Sequence, residues 1–118
     1  METNFKLTTP ILFLTFNRLD TAKKVFKEIR KAKPVQLFIA SDGPRENNAS
    51  DKQKITSVRN YLLKNIDWEC DVKTLFWKKN LGCKHAVSGA IDWFCYKIYI
   101  FCLENICQTL FFPSLFDD

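Results

Sequence analysis

Pro10-Ile11-Leu12-Phe13-Leu14-Thr15-Phe16-Asn17-Arg18 is the stretch that decides the fold. Its apolar residues run without polar alternation and stop abruptly at Asn17-Arg18. A run of that kind reads as a strand buried on both faces, the pattern of a parallel sheet covered by helices. In open α/β sheets ligands bind just beyond the carboxyl ends of such strands. Asn17 and Arg18 therefore stand where chemistry is expected.

The chain on either side supports this. Residues Met1 to Thr9 form a polar lead-in. After the apolar run, Asp20 is placed to cap a helix in which Ala22, Val25, Phe26 and Ile29 recur at helical spacing. Lysines near its end suit the negative pole of the helix dipole, and Pro34 stops it. Val35 to Ala40 predicts a second strand, ending at the turn signal Ser41-Asp42-Gly43-Pro44-Arg45. Glu46 to Ala49 reads as a loop. Ser50 with Gln53 makes a capping-box pattern ahead of a helix that carries Ile55, Val58 and Leu62 on one face. Cys70 to Phe76 alternates weakly and predicts a third strand nearer an edge. Lys79-Asn80-Leu81-Gly82 then leads into a helix with Cys83, Ala86, Val87, Ala90, Ile91 and Phe94 on its buried side. Ile98 to Leu103 predicts a fourth strand, ending at Glu104-Asn105. Alternating strands and helices specify a parallel sheet covered on both faces. Right-handed crossovers place the strands' carboxyl ends on one edge. Four polar clusters are thus expected on one rim: Asn17/Arg18, Ser41/Asp42/Gly43, Lys79/Asn80/Gly82 and Glu104/Asn105.

The bulk composition narrows the function classes. A chain of 118 residues that is 47% hydrophobic suffices for one domain with a core. Lys+Arg 18 against Asp+Glu 13 leaves a net charge of +5, which favours anionic partners. The basic residues from Lys23 to Lys33 mostly mark the wet face of one helix, so basicity alone gives no reason to expect nucleic acid. The five cysteines are odd in number and contain no CxxC pair, and the expectation is a reduced cytoplasmic protein with buried thiols. With His85 the only histidine, the ligand count argues against a thiolate metal site. The best apolar stretch, Trp93 to Leu103, is interrupted by Lys97 and falls short of the ~20 residues a bilayer span needs. At most, peripheral contact with the inner face of a membrane is expected.

The phosphate-binding signatures GxGxxG and the P-loop are missing, as are a G-x-S-x-G elbow and a Ser/His/Asp set. Asp42 at a strand end can accept hydrogen bonds from a base or ribose, and an ordinary turn accounts for Asp42-Gly43-Pro44 equally well. Asn80-Leu81-Gly82 suits a plain helix start. It also suits presentation of backbone N–H groups, with Lys79 or Lys84, to a diphosphate.

The ordered set Thr9-Pro10 through Asn17-Arg18, Leu37-Phe-Ile-Ala-Ser-Asp-Gly-Pro-Arg45 and Asn80-Leu-Gly-Cys-Lys-His-Ala86 resembles the N-terminal half of GT-A-fold glycosyltransferases. It is most similar to bacterial nucleotide-diphospho-sugar transferases related to glycosyltransferase family 2. The resemblance covers about Thr9 to Leu103. It implies a three-layer α/β/α Rossmann-like (GT-A) nucleotide-binding half with a mainly parallel sheet, occupying residues 1–107, and a divergent phenylalanine-rich tail over 108–118. It further implies that Thr15, Asn17, Arg18 and Asp42 hold the base and ribose of a nucleotide diphosphate sugar. Lys79, Asn80, Gly82 and Lys84 would border the diphosphate-sugar pocket.

The chain also departs from the family pattern. The family's fourth strand ends in an acidic D-x-D type motif whose carboxylates hold Mg²⁺ or Mn²⁺, since hard cations prefer oxygen ligands. Here Leu103-Glu104-Asn105-Ile106-Cys107 retains one carboxylate, Glu104. Against the family pattern the acceptor-binding half is expected to be missing, as a terminal deletion or an altered reading frame near Phe94 would produce. The expectation is nucleotide-sugar binding with weak or no sugar transfer to an acceptor hydroxyl. The alternative is a non-catalytic α/β module that binds a partner chain or a second copy of itself.

Overall fold

The computed structural model describes residues 7–110, with side chains as far as residue 103. Six elements alternate along the chain: β1 (Ile11–Thr15), α1 (Leu19–Ala32), β2 (Gln36–Ser41), α2 (Asp51–Lys64), β3 (Asp71–Phe76) and α3 (Cys83–Leu110). The strands form one parallel sheet in the order β1-β2-β3. Ile11 pairs with Leu37 and Thr15 with Ser41, while Gln36 pairs with Asp71 and Ser41 with Phe76. All three carboxyl ends therefore finish level, at one rim.

Side chains alternate across the sheet and sort the helices into two layers. On one face Phe13, Leu37 and Ile39 meet Ala22, Phe26 and Ile29 of α1 and Val58 and Leu62 of α2. On the other face Phe38 takes the rings of Trp93 and Phe94 edge-on, with centroids 5.4 and 5.0 Å away. Ala86 and Ala90 are buried beneath α3, where small side chains let the helix lie close to the strands. The result is an α/β/α sandwich of Rossmann-like form. Each large apolar side chain buried in β2 contributes roughly 1.5–3 kcal/mol of transfer free energy.

Several sequence expectations are corrected. The strand buried on all sides is β2, whose six residues are all buried, and not β1. β1 lies at the sheet edge, has Phe13 as its one fully buried residue, and leaves Leu14 41% exposed. Ile98 to Leu103 is not a fourth strand but a continuation of α3. A short apolar run fits a buried strand and a helix equally well. Here Trp93 and Phe94 dock the preceding turns on Phe38, and Ile98–Leu103 carries the same helix onward. Because α3 is longer than expected, Cys83–Leu103 is by length and composition long and apolar enough to cross a membrane, with 11% of its apolar window buried. That corrects the expectation that no segment qualifies.

Smaller corrections concern caps and faces. α1 begins at Leu19, so Asp20 sits in its first turn and pairs with Arg18 at 3.3 Å instead of capping it. Ser50 makes no capping bond to α2, and its hydroxyl donates to Asn48 Oδ1 at 2.8 Å. Val25 and Ile91 are exposed, and Cys83 is exposed where it lines the cleft at the rim. The thiols are not buried: Cys83, Cys95 and Cys102 are exposed and Cys70 is half-buried, while the Cys107 side chain lies outside the described residues. Most of the phenylalanine-rich tail over 108–118 also lies outside them.

Candidate functional site

The rim is organised by two carboxylates. Asp42, the first residue beyond β2, is 7% exposed. Its Oδ1 accepts the backbone N–H groups of Gly43 and Leu81, both at 2.8 Å. Its Oδ2 accepts the Gly82 N–H and the Asn80 side-chain amide, both at 3.1 Å. An ionised carboxylate has about four acceptor positions, and the chain itself fills all four. The Asn80 amide also donates to the Gly43 carbonyl at 2.8 Å. The turn after β2 is thereby tied to the turn before α3. Gly82 adopts φ +86, a left-handed conformation in which an L side chain is strained. At Gly43 the constraint is space: a Cβ would lie 2.5 Å from the Lys79 carbonyl carbon.

Asp51, in the first turn of α2, is the second knot. It is fully buried. Its Oδ2 accepts Arg45 Nε at 2.7 Å and the Arg45 backbone N–H at 3.1 Å. Its Oδ1 accepts Arg45 Nη2 and Asn17 Nδ2, both at 3.0 Å. The Arg45 hydrogen bond above all holds the Asp51 carboxyl well below the usual carboxylate range. Asn17 therefore acts as a strut between the end of β1 and α2. The Arg45 guanidinium also lies 5.5 Å from the centre of the Phe16 ring.

Arg59 of α2 closes the rim from below. Its Nε donates to Ser41 Oγ at 2.8 Å, and its Nη2 donates to the carbonyls of Ser41, Asp42 and Trp77 at 3.1, 3.1 and 2.9 Å. The guanidinium stacks 4.7 Å from the Phe76 ring centre. Burial pushes its pKa down, against the opposing pull of Asp42. Arg59 thus gathers the carboxyl ends of β2 and β3.

Above these knots a cleft of about 450 Å³ opens at the ends of β1 and β2. Its polar lining is Thr15, Asp42, Arg45 and Asn80, and its aromatic lining is Phe16 and Trp77. Gly82 lines it as well. Of the residues expected here from the sequence, Thr15, Asp42, Asn80 and Gly82 meet in this cleft. Thr15 donates a 3.4 Å hydrogen bond to the Ala40 carbonyl. Asn17 and Arg18 face a separate surface hollow with Leu19, Asp20 and Lys54. Lys79 lines a neighbouring cleft, and Lys84 is exposed on the first turn of α3. Glu104 falls on α3, 21 residues beyond Cys83, or about 32 Å at 1.5 Å per residue. The fourth polar cluster therefore does not reach the rim, and the Glu104 side chain lies outside the described residues.

Sequence reasoning missed Asp51, Arg59 and Arg45, and two of them left a signal. Asp51 stands four residues before Ile55 and seven before Val58, on the apolar stripe of α2, so the helical period itself buries it. Arg59 follows Val58 on the margin of the same stripe.

The fit of a hard divalent cation can be tested on the donors present. Among the described residues no group of three His, Cys, Asp or Glu side chains comes together. The two rim carboxylates, Asp42 and Asp51, already accept four internal hydrogen bonds each. The described residues do not supply a Mg²⁺ or Mn²⁺ site. No protein-family model, curated protein or solved structure matches this chain.

Proposed function

We propose that the rim cleft binds a nucleotide diphosphate sugar and that the chain is glycosyltransferase-like, with weak or no transfer to an acceptor hydroxyl. One observation carries this reading: the cleft at the carboxyl ends of β1 and β2 combines two aromatic walls, Phe16 and Trp77, with Thr15, Arg45 and Asn80 on a braced frame. An aromatic wall suits the face of a base. Asp51 engages two of the five side-chain N–H donors of Arg45, which leaves three for a phosphate. Asp42 acts as the positioning residue that fixes Leu81 and Gly82. A cytoplasmic setting, with at most peripheral membrane contact, belongs to the same proposal.

Calorimetric titration with UDP- and GDP-sugars, with and without Mn²⁺, tests it. Saturable binding is expected. Because stacking of a base on an aromatic ring is worth about 1–3 kcal/mol, Phe16→Leu should weaken binding at least fivefold. The absence of binding with every donor sugar would overturn the reading. A dependence on Mn²⁺ would assign the metal to donors beyond those described.

A second reading has its own observation. Among the described residues the outer edge of β1 has no strand partner, and Leu14 on that strand is 41% exposed. An open apolar edge favours pairing with another chain, so the alternative is a non-catalytic module that associates through β1. A mass that rises with concentration would support association, and a constant monomer mass would remove this alternative.

A further inference from the structure

A second cleft, of about 830 Å³, lies behind the wall formed by Arg45 and Asn80. Its charged lining is Arg45, Lys52, Lys78 and Lys79 against one acid, Glu46. Two of the side-chain donors of Arg45 are engaged by Asp51. The three lysines form no ion pair among the described residues. Like charges held around one concavity repel unless an anion sits among them. The backbone that presents them is rigidly placed. The Trp77 carbonyl accepts Arg59 and the Trp77 N–H donates to the Ser41 carbonyl at 3.1 Å, which anchors the turn entering Lys78-Lys79. Gly43 packs directly against the carbonyls of that pair. Lys52 is fixed beside buried Asp51 on the first turn of α2.

We infer that this cleft is a binding site for a compact polyanion carrying two or three phosphate groups, with Lys52, Lys78 and Lys79 as its cationic contacts. The asparagine amides of Asn47, Asn48 and Asn80 on the same lining can add neutral donors. This site stands apart from the nucleotide-sugar reading, since the two clefts share only Arg45 and Asn80. Lys79, expected to border the first cleft, serves this one.

The probe is inorganic tripolyphosphate, titrated calorimetrically into the full chain at about 50 and 200 mM salt, a range over which phosphate contacts weaken strongly. Saturable 1:1 binding that weakens with salt is expected. The triple variant Lys52→Gln, Lys78→Gln, Lys79→Gln should lose at least tenfold in affinity with an unchanged melting temperature, because all three side chains are exposed. Lys24→Gln, Lys27→Gln, Lys64→Gln removes the same charge from exposed positions elsewhere and should bind almost as wild type. Phe16→Leu should leave tripolyphosphate binding intact, whatever becomes of nucleotide-sugar binding. No saturable binding, equal losses in both triple variants, or loss in Phe16→Leu would overturn the inference. An oligothymidylate that binds more tightly than tripolyphosphate, with a salt slope above that of three phosphates, would replace it with single-stranded nucleic acid.

Discussion

The carboxyl rim and the last described side chains of α3 lie about 30 Å apart along one helix, taking 1.5 Å per residue from Cys83 to Leu103, and they are built in opposite ways. At the rim, polar groups answer one another completely. Asp42 and Asp51 accept four hydrogen bonds each, and among the described residues no buried side-chain nitrogen or oxygen lacks a partner. At the far end Tyr96, Tyr99, Phe101 and Leu103 are 62, 61, 44 and 42% exposed. Lys97 follows Ala86 by three helical turns and so points to the sheet side, yet it is exposed. The helix has there outrun the sheet. The difference teaches that this fold concentrates its directional bonding where the strands end, while among the described residues much of the apolar surface of α3 beyond Phe94 stays exposed.

The largest effect should come from breaking the rim. Asp42→Ala leaves the Gly43, Leu81 and Gly82 N–H groups without their acceptor. At about 1–3 kcal/mol for each unpaired buried donor, urea unfolding should show a loss of about 3 kcal/mol or more. Asp51→Asn comes next, and its signature is in the pH dependence. The folded-state pKa of Asp51 is depressed, so its contribution is present above the unfolded value of about 3.9 and disappears as pH falls through the folded value. Wild-type stability should therefore decline below about pH 4. Asp51→Asn should be less stable at neutral pH and should show a flatter acid limb in chemical denaturation.

Gly43→Ala forces a methyl against the Lys79 carbonyl and should cost about 1–3 kcal/mol, in the range of overpacking. Gly82→Ala meets no neighbour within 4 Å, so only the strain of φ +86 remains, about 1–2 kcal/mol. Comparing their denaturation midpoints separates steric from conformational cost on the two sides of Asp42. The smallest effect belongs to the other region: Tyr99→Lys should change stability by less than about 0.5 kcal/mol, as surface substitutions do. A larger destabilisation in thermal melts would mean that the far end of α3 is covered.

Much of this organisation was legible in the residues, for definable reasons. Three strands, three helices and a common rim follow from two apolar runs that end before Asn17 and Asp42 and from a weakly alternating one that ends at Phe76, because hydrophobic period and turn chemistry are local signals. The exchange of roles between β1 and β2 was not legible. Both are unbroken apolar runs, and which one has neighbours on both sides is settled by strand order. Ile98 to Leu103 misled for a related reason: six apolar residues carry no period that separates strand from helix. In the site, Asp42, Asn80 and Gly82 were placed together by their positions at strand and helix ends, and Thr15 was added by the family resemblance. That Asp42 turns inward, to the N–H groups of Leu81 and Gly82, depends on a contact across 40 residues that no local pattern encodes.

Amide hydrogen exchange at Leu81 and Gly82 tests most directly whether Asp42 is the internal fastener of the rim. Neither residue belongs to a helix or strand, so an unbraced loop there would exchange nearly as fast as an open chain. With both N–H groups held by the Asp42 carboxylate, they should exchange as slowly as the amides of β2, and Asp42→Asn should speed both. Exchange at loop rates in the wild-type chain would contradict it.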